Sequence, residues 1–249
     1  MFNRRSLFAA LISTFAILFH NDALAQSVDR SKTIKEIASL RKELSEKEKL
    51  FLSPPAEDLA AFAEFLKQPK TGLIRLLPRG LYDDRLTIRG GGAYYSFDRL
   101  THEYGFGSDI ELMTPPNENY VPPPIAEYNF HTGFAGADYG LIVKLGDVPL
   151  DKVTLEHDGV KFLAAYRPPS AIHKARAEQR RADDGILRGQ YEYKWDAPAI
   201  VNYTYALRSI YYDKSDVLVS FRVVRKEIDG SVVILWKMLK RFPTPALQR

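Results

Sequence analysis

The sequence predicts an α+β fold, with N-terminal helices followed by a mainly antiparallel, β-rich domain that forms a sandwich or a partly open barrel. Three observations carry this. Helical apolar spacing with Lys and Glu between is concentrated before Pro69. From Leu73 onward, short β-like runs are separated by turn residues. Long helices do not alternate with strands, as an α/β chain would require.

The first 25 residues read as a signal peptide. Arg4 and Arg5 form a basic start, Leu7 to Phe19 is apolar, and Ala23-Leu24-Ala25 is a small-x-small cleavage site before Gln26. The apolar run is shorter than the roughly 20 residues that span a bilayer. The expected location is therefore periplasmic or extracellular, in a bacterial setting, with no membrane span after cleavage. The paired arginines also fit the twin-arginine route, which leaves the export route open. There is no cysteine, so neither a lipid anchor on cysteine nor a disulfide framework is available. The chain beyond residue 25 is long enough for a sizeable core.

A helical segment is expected over residues 26–70. Ser31 to Leu52 places Ile37, Leu40, Leu44 and Phe51 on one stripe, with Thr33 or Ser31 as the N-cap. Lys47 interrupts the stripe, which covers fewer than three heptads. An oligomer through residues 31–52 is nonetheless one reading of it. Pro54-Pro55 ends this helix, and Ala56 to Lys67 forms a second, with Leu59, Phe62, Ala63 and Leu66 on one face.

The β-rich domain is expected over 71–249. "GLIRLL" and "RLTIRG" read as strands. Gly90, Gly91 and Gly92 lack the surroundings of a dinucleotide or phosphate loop and read as a turn with positive φ. Thr114 to Pro124 holds five prolines and cannot be a helix or a central strand. His157-Asp158-Gly159 reads as a turn. Ala171 to Ala182 reads as a lightly docked helix, capped by Ser170 and stopped by Gly185. Along residues 201–208, Tyr203, Tyr205 and Leu207 alternate with Asn202, Thr204 and Arg208. Val217–Val224 and Val232–Leu239 flank Asp229-Gly230 as a hairpin, and a two-residue turn pairs Val223 with Trp236 and Phe221 with Met238. The tail from Pro243 is expected to be loose.

Composition narrows the function. The leader holds two of the 35 basic and one of the 31 acidic residues, leaving a small positive balance. That argues against nucleic acid as a partner. The basic run His173 to Arg181 is interleaved with acids and reads as a solvated helix face. No nucleophile elbow is present. Two segments, "HEYGFGSDIEL" and "HTGFAGADYGLIVKL", share an order of His, Gly-Phe, Gly and Asp. His102 and His131 stand 29 residues apart, as do Asp109 and Asp138. Brought together, these four would suit a divalent metal or acid–base hydrolysis. Asp109 and Glu111 also share a strand face and could act as paired carboxylates. Between Tyr94 and Tyr139, ten of 46 residues are aromatic, against 12% overall. Rings with polar tips suit a small molecule, a glycan or a protein ligand.

The expectation is thus an exported, non-catalytic module binding a ligand or partner through this aromatic region. Its candidate site residues are His102, Tyr104, Asp109, His131, Asp138 and Tyr139. The alternatives are a metal-dependent or acid–base hydrolase centred on His102, Asp109, His131 and Asp138, and an assembly protein using a coiled coil. The sequence points to no particular reaction, and to no cofactor beyond that divalent metal.

Overall fold

The computed structural model describes residues 30–102, 104–105, 107–113, 127–133 and 138–248. The chain forms two compact units, Met1–Lys47 and Glu48–Arg249. In the first, residues 30–47 are helical. Ser31 and Thr33 both lie inside this helix, so neither caps it. Ile34, Ile37, Leu40 and Leu44 are 66%, 43%, 63% and 42% exposed, and Glu43 pairs with Lys47 at 2.8 Å on the surface. We call helical residues 30–52 α1.

In the second unit, the last turn of α1 docks through Leu52 and through Glu48, whose carboxylate accepts the Thr87 hydroxyl at 2.6 Å and the Thr87 amide. The expected second helix is broken at Phe62 into α2 (Ala56–Ala61) and α3 (Ala63–Leu66). Phe62, Phe65 and Leu66 pack against Leu73, Val233 and Leu235.

The remaining elements in chain order are β1 (Thr71–Leu76), α4 (Arg79–Tyr82), β2 (Tyr94–Tyr95), β3 (Ile110–Met113), β4 (Asn129–His131), β5 (Tyr139–Gly146), α5 (Asp158–Ala165), α6 (Ile172–Asp184), β6 (Ile186–Arg188), β7 (Tyr191–Lys194), β8 (Asp196–Pro198), β9 (Thr204–Tyr211), β10 (Ser215–Lys226) and β11 (Val232–Arg241). They form a seven-stranded sheet, β1-β11-β10-β9-β5-β7-β6, and a four-stranded sheet, β2-β3-β4-β8. Every pairing is antiparallel. The result is sandwich-like rather than a closed barrel, within the expected α+β class.

The large sheet is buried on both faces. One face meets the small sheet, where Phe130, Leu112 and Tyr95 pack with Ile142, Phe221 and Trp236. The other face carries Leu141, Val143 and Leu218 under Val160 and Leu163 of α5 and Ala182 of α6. All eight residues of β9 are therefore buried, and the polar side of its alternation faces helices rather than water. Arg208 sits there, 1% exposed. Its Nε and Nη2 donate to the two Asp216 oxygens at 2.9 and 2.8 Å. Its Nη1 donates to the Leu163 and Tyr166 carbonyls at 2.6 and 2.7 Å, where the negative end of α5 favours a cation.

Several local expectations are corrected. "RLTIRG" is a series of turns, not a strand. Its Leu86 and Ile88 lie beside the glycine triplet, whose φ values are +77°, +58° and +76°. The triplet is a turn as expected, but it joins α4 to β2 rather than two hairpin strands. His157 is not part of a simple turn: its Nδ1 accepts the Gly159 amide at 3.2 Å and caps α5. Ala171, not Ser170, precedes α6, while Gly185 ends it at φ +89°. The β10–β11 hairpin has a longer loop. Glu227 N–H donates to Ser231 O at 2.7 Å, and Gly230 takes φ +87°. With bulges this pairs Val223 with Ile234 and Phe221 with Trp236. The slip from the expected register is two residues, so the apolar face is kept. The tail is not loose: Gln248 N–H donates to Ser170 O at 2.8 Å and Asp213 N–H to Pro245 O at 2.9 Å. Thr114 to Pro124 lies outside the described residues.

Candidate functional site

The small sheet positions one row of polar side chains. Its registers pair Tyr94 with Glu111, Glu111 with His131, and His131 with Asp196. Side chains alternate along a strand, and Leu112, Phe130 and Ala197 face the inter-sheet core. Tyr94, Glu111, His131 and Asp196 therefore share the opposite face. Strand spacing makes the row about 14 Å long.

The row begins at the turn before β2. Three consecutive positive φ values let the chain reverse tightly enough to bring α4 onto Tyr94. A Cβ on Gly90 would strike the Tyr94 and Tyr104 rings, at 2.5 and 2.7 Å. Arg79 of α4 reaches Glu111 at 3.2 Å and Asp83 at 3.4 Å. Its guanidinium also lies 5.7 Å from the Tyr94 ring and 6.0 Å from Tyr104, while Arg89 stacks on Tyr104 at 4.8 Å. Burial pushes the Glu111 carboxyl above its ordinary range, opposed by the Tyr94 hydroxyl and Arg79. A cleft of about 470 Å³, lined in part by Arg79, Asp83, Arg85 and Met113, opens beside this end.

At the middle of the row, His131 is 2% exposed. Its ring lies 4.5 Å from that of Trp195, edge to face. Among the described residues, its Nε2 is buried without a hydrogen-bond partner. Burial holds this imidazole below its ordinary pKa, opposed by the charge of Asp196. At the far end, Asp196 accepts from Asn129 Nδ2 at 2.9 Å. It also lines a second cleft of about 390 Å³, with Lys144, Glu192 and Lys194.

The expected site residues distribute unevenly over this geometry. Tyr104 and His131 belong to the row or its margin. His102 does not: its Nε2 meets the Arg75 carbonyl at 2.8 Å and its ring abuts Tyr95, a residue of the inter-sheet core. Asp109 is fully buried and accepts the Phe97 amide at 2.7 Å, and burial pushes its carboxyl up to about 6. Glu111 is held instead by Arg79 and Tyr94, so the two carboxylates do not act as a pair. Asp138 accepts the Tyr212 amide at 2.9 Å. Tyr139 bonds the Tyr166 hydroxyl at 2.7 Å, within a cluster that includes Ala175 of α6. Both are tied to the helical layer, Asp138 through its carbonyl to Gln179 of α6 and Tyr139 through its hydroxyl to Tyr166. Among the described residues, no group of three or more His, Asp or Glu is placed to hold a metal ion.

Residues missed from the sequence are Arg79, Trp195 and Asp196. Arg79 follows Pro78 in what reads as a strand-rich stretch, and Asp196 pairs with His131 only through the long-range β4–β8 contact. The adjacency of Trp195 and Asp196 beside a short strand was the available signal.

Fold and site together define a class: an antiparallel sandwich backed by helices, with a buried polar row on the outer face of its smaller sheet. No known protein family, no curated protein and no solved structure matches the chain.

Proposed function

We propose that the protein is an exported, non-catalytic module that binds a ligand through its aromatic-rich β region, with the clefts at the two ends of the row Tyr94–Glu111–His131–Asp196 as the contact surface. The observation that carries this reading is His131. A buried ring nitrogen without a partner costs stability, and it lies in line with two carboxylates between two clefts. Ligand sites join apolar walls to a few convergent polar groups in this way. The leader-like first 25 residues support the exported location.

Side-chain NMR of the His131 imidazole and the Trp195 indole tests the surface. A chemically mixed panel of sugars, dicarboxylates, amines and short peptides should contain a compound that shifts both signals, and Arg79→Ala with Tyr104→Ala should abolish the shift. Perturbations confined to other surfaces, or none, would overturn the reading. Sequencing the secreted or periplasmic product should return Gln26 as its first residue.

A second reading, self-assembly through α1, is favoured by the exposure of Ile34, Ile37, Leu40 and Leu44 on one helix. Deleting residues 26–47 should then halve the mass in solution. An unchanged mass would exclude it.

A further inference from the structure

We infer that the partner of α1 is a second copy of the same helix, laid parallel to it in a two-stranded coiled coil. This rests on the self-assembly reading of α1 and adds the number and direction of the strands.

The seam comes from the apolar residues. Written as heptads, Ile37 and Leu44 take a positions, Leu40 and Lys47 take d positions, and Ile34 is a flanking e residue. Ile34, Ile37, Leu40 and Leu44 are all exposed. A helix in a protein draws most of its stability from packing of its apolar face, and this face is covered when a like stripe lies against it. The seam stops at the next turn, where Glu48 and Leu52 are already buried. Ile at a with Leu at d, as in Ile37 and Leu40, favours two strands.

The direction comes from charge. Glu36 takes a g position and Arg41 the following e position. Both are exposed. Five residues place them about 140° apart around one helix, so they cannot meet on it. Between parallel helices, a g residue of one lies beside the next e residue of the other. Glu36 then meets Arg41 of the second copy, and two-fold symmetry makes the contact twice. Lys47, the polar residue at d, is held by its own Glu43 at 2.8 Å, which offsets its charge against the second Lys47. The antiparallel arrangement sets Ile37 opposite Leu40 instead. It brings Glu36 against Glu43 and Arg30 against Lys47, each twice, and its facing e residues, Ile34 and Arg41, supply no opposite charge. A closed two-fold pair leaves no free seam for further copies.

Sedimentation equilibrium of the secreted or periplasmic product over a wide concentration range tests this. The seam spans only residues 34–47, two heptads, so the expected species is a dimer that dissociates on dilution. Glu36→Arg turns both attractive contacts repulsive and should raise the dissociation constant about tenfold. Arg41→Glu should do the same, and the double variant should return it close to the original. Urea midpoints should be unchanged in all three, since these side chains are exposed. The chain holds no cysteine, so Leu44→Cys reads direction independently. On oxidation it should cross-link to another Leu44→Cys chain and not to a Thr33→Cys chain. If Glu36→Arg tightens the dimer or leaves it unchanged, if Leu44→Cys cross-links to Thr33→Cys instead, or if the mass is that of three or more copies, the parallel pair is overturned and self-assembly stands. A chain that stays monomeric throughout overturns both.

Discussion

Two of the places where this protein buries charged or titratable groups are finished differently. Between the large sheet and its helices, Arg208 and Asp216 are each 1% exposed and close on one another through two hydrogen bonds, while the rest of the guanidinium is taken by two carbonyls. The Phe242 ring lies 3.7 Å from that guanidinium. On the outer face of the small sheet, Glu111 and His131 are nearly as buried, yet His131 Nε2 has no partner among the described residues. A structural ion pair survives desolvation only when its hydrogen-bonding capacity is met. The first arrangement is what a scaffold requires. The second leaves one buried ring nitrogen unanswered among the described residues.

The largest break in that comparison is Arg208→Met. It strands Asp216 in the core and should lower unfolding free energy by about 3–5 kcal/mol in urea titrations. Adding Asp216→Leu should recover most of the loss. A single-variant cost below about 1 kcal/mol would show that the pair is not closed as described. Next in size is Gly91→Ala. Its φ is +58°, and the new Cβ would meet the Tyr82 carbonyl carbon at 2.4 Å and the Asp83 nitrogen at 2.5 Å. A cost of about 1–3 kcal/mol is expected. Hydrogen exchange should show lost protection around α4 and β2, with β9 and β10 retained. Equal loss in both regions would mean that the glycine turn supports the whole sandwich rather than the row.

The smallest effect sharpens the contrast most. His131→Leu removes a ring nitrogen that has no hydrogen-bond partner among the described residues, so stability should stay within about 1 kcal/mol of wild type or rise. Its pH profile carries a sign. Burial lowers the folded pKa of His131 below the ordinary 6.5. Below that pH the unfolded chain takes a proton that the folded chain resists, so stability falls as pH falls. The variant should lose that part of the acid slope, while His102, shifted in the same direction, keeps its own part. Asp109 works oppositely in both proteins: with its pKa raised from 3.8 to about 6, it costs stability as pH rises across that interval. A difference curve between the two proteins that is flat near pH 6.5 would mean that His131 is not shielded from water.

The sequence was informative where the signal is local. The α1 stripe, the Gly185 stop and the apolar face of the last hairpin depend on spacing within a few residues. The hairpin register did not follow, because Asp-Gly fits both a two-residue turn and the longer loop that places Gly230 at positive φ. α5 was hidden because Asp158-Gly159 resembles a turn and its cap is a histidine, outside the usual capping set. The row was half visible. Tyr104 and His131 were singled out, but the 29-residue repeat suggested that His102 and Asp138 would accompany them. Pairing across β3, β4 and β8 decides instead, and no local pattern encodes which strands become neighbours. Arg79 and Asp196 reach the row only through those contacts.

One feature of the large sheet bears on how the chain reaches this state. Its edge strand β1 pairs with β11 alone, Thr71 opposite Lys237, so nearly the whole domain is made before the first strand finds its neighbour. Loop-closure entropy makes such distant pairing slow. During synthesis the exposed ribbon "TGLIRL" would await its complement, and a nascent chain stalled short of Val232 would present that naked edge to holding factors or to aggregation.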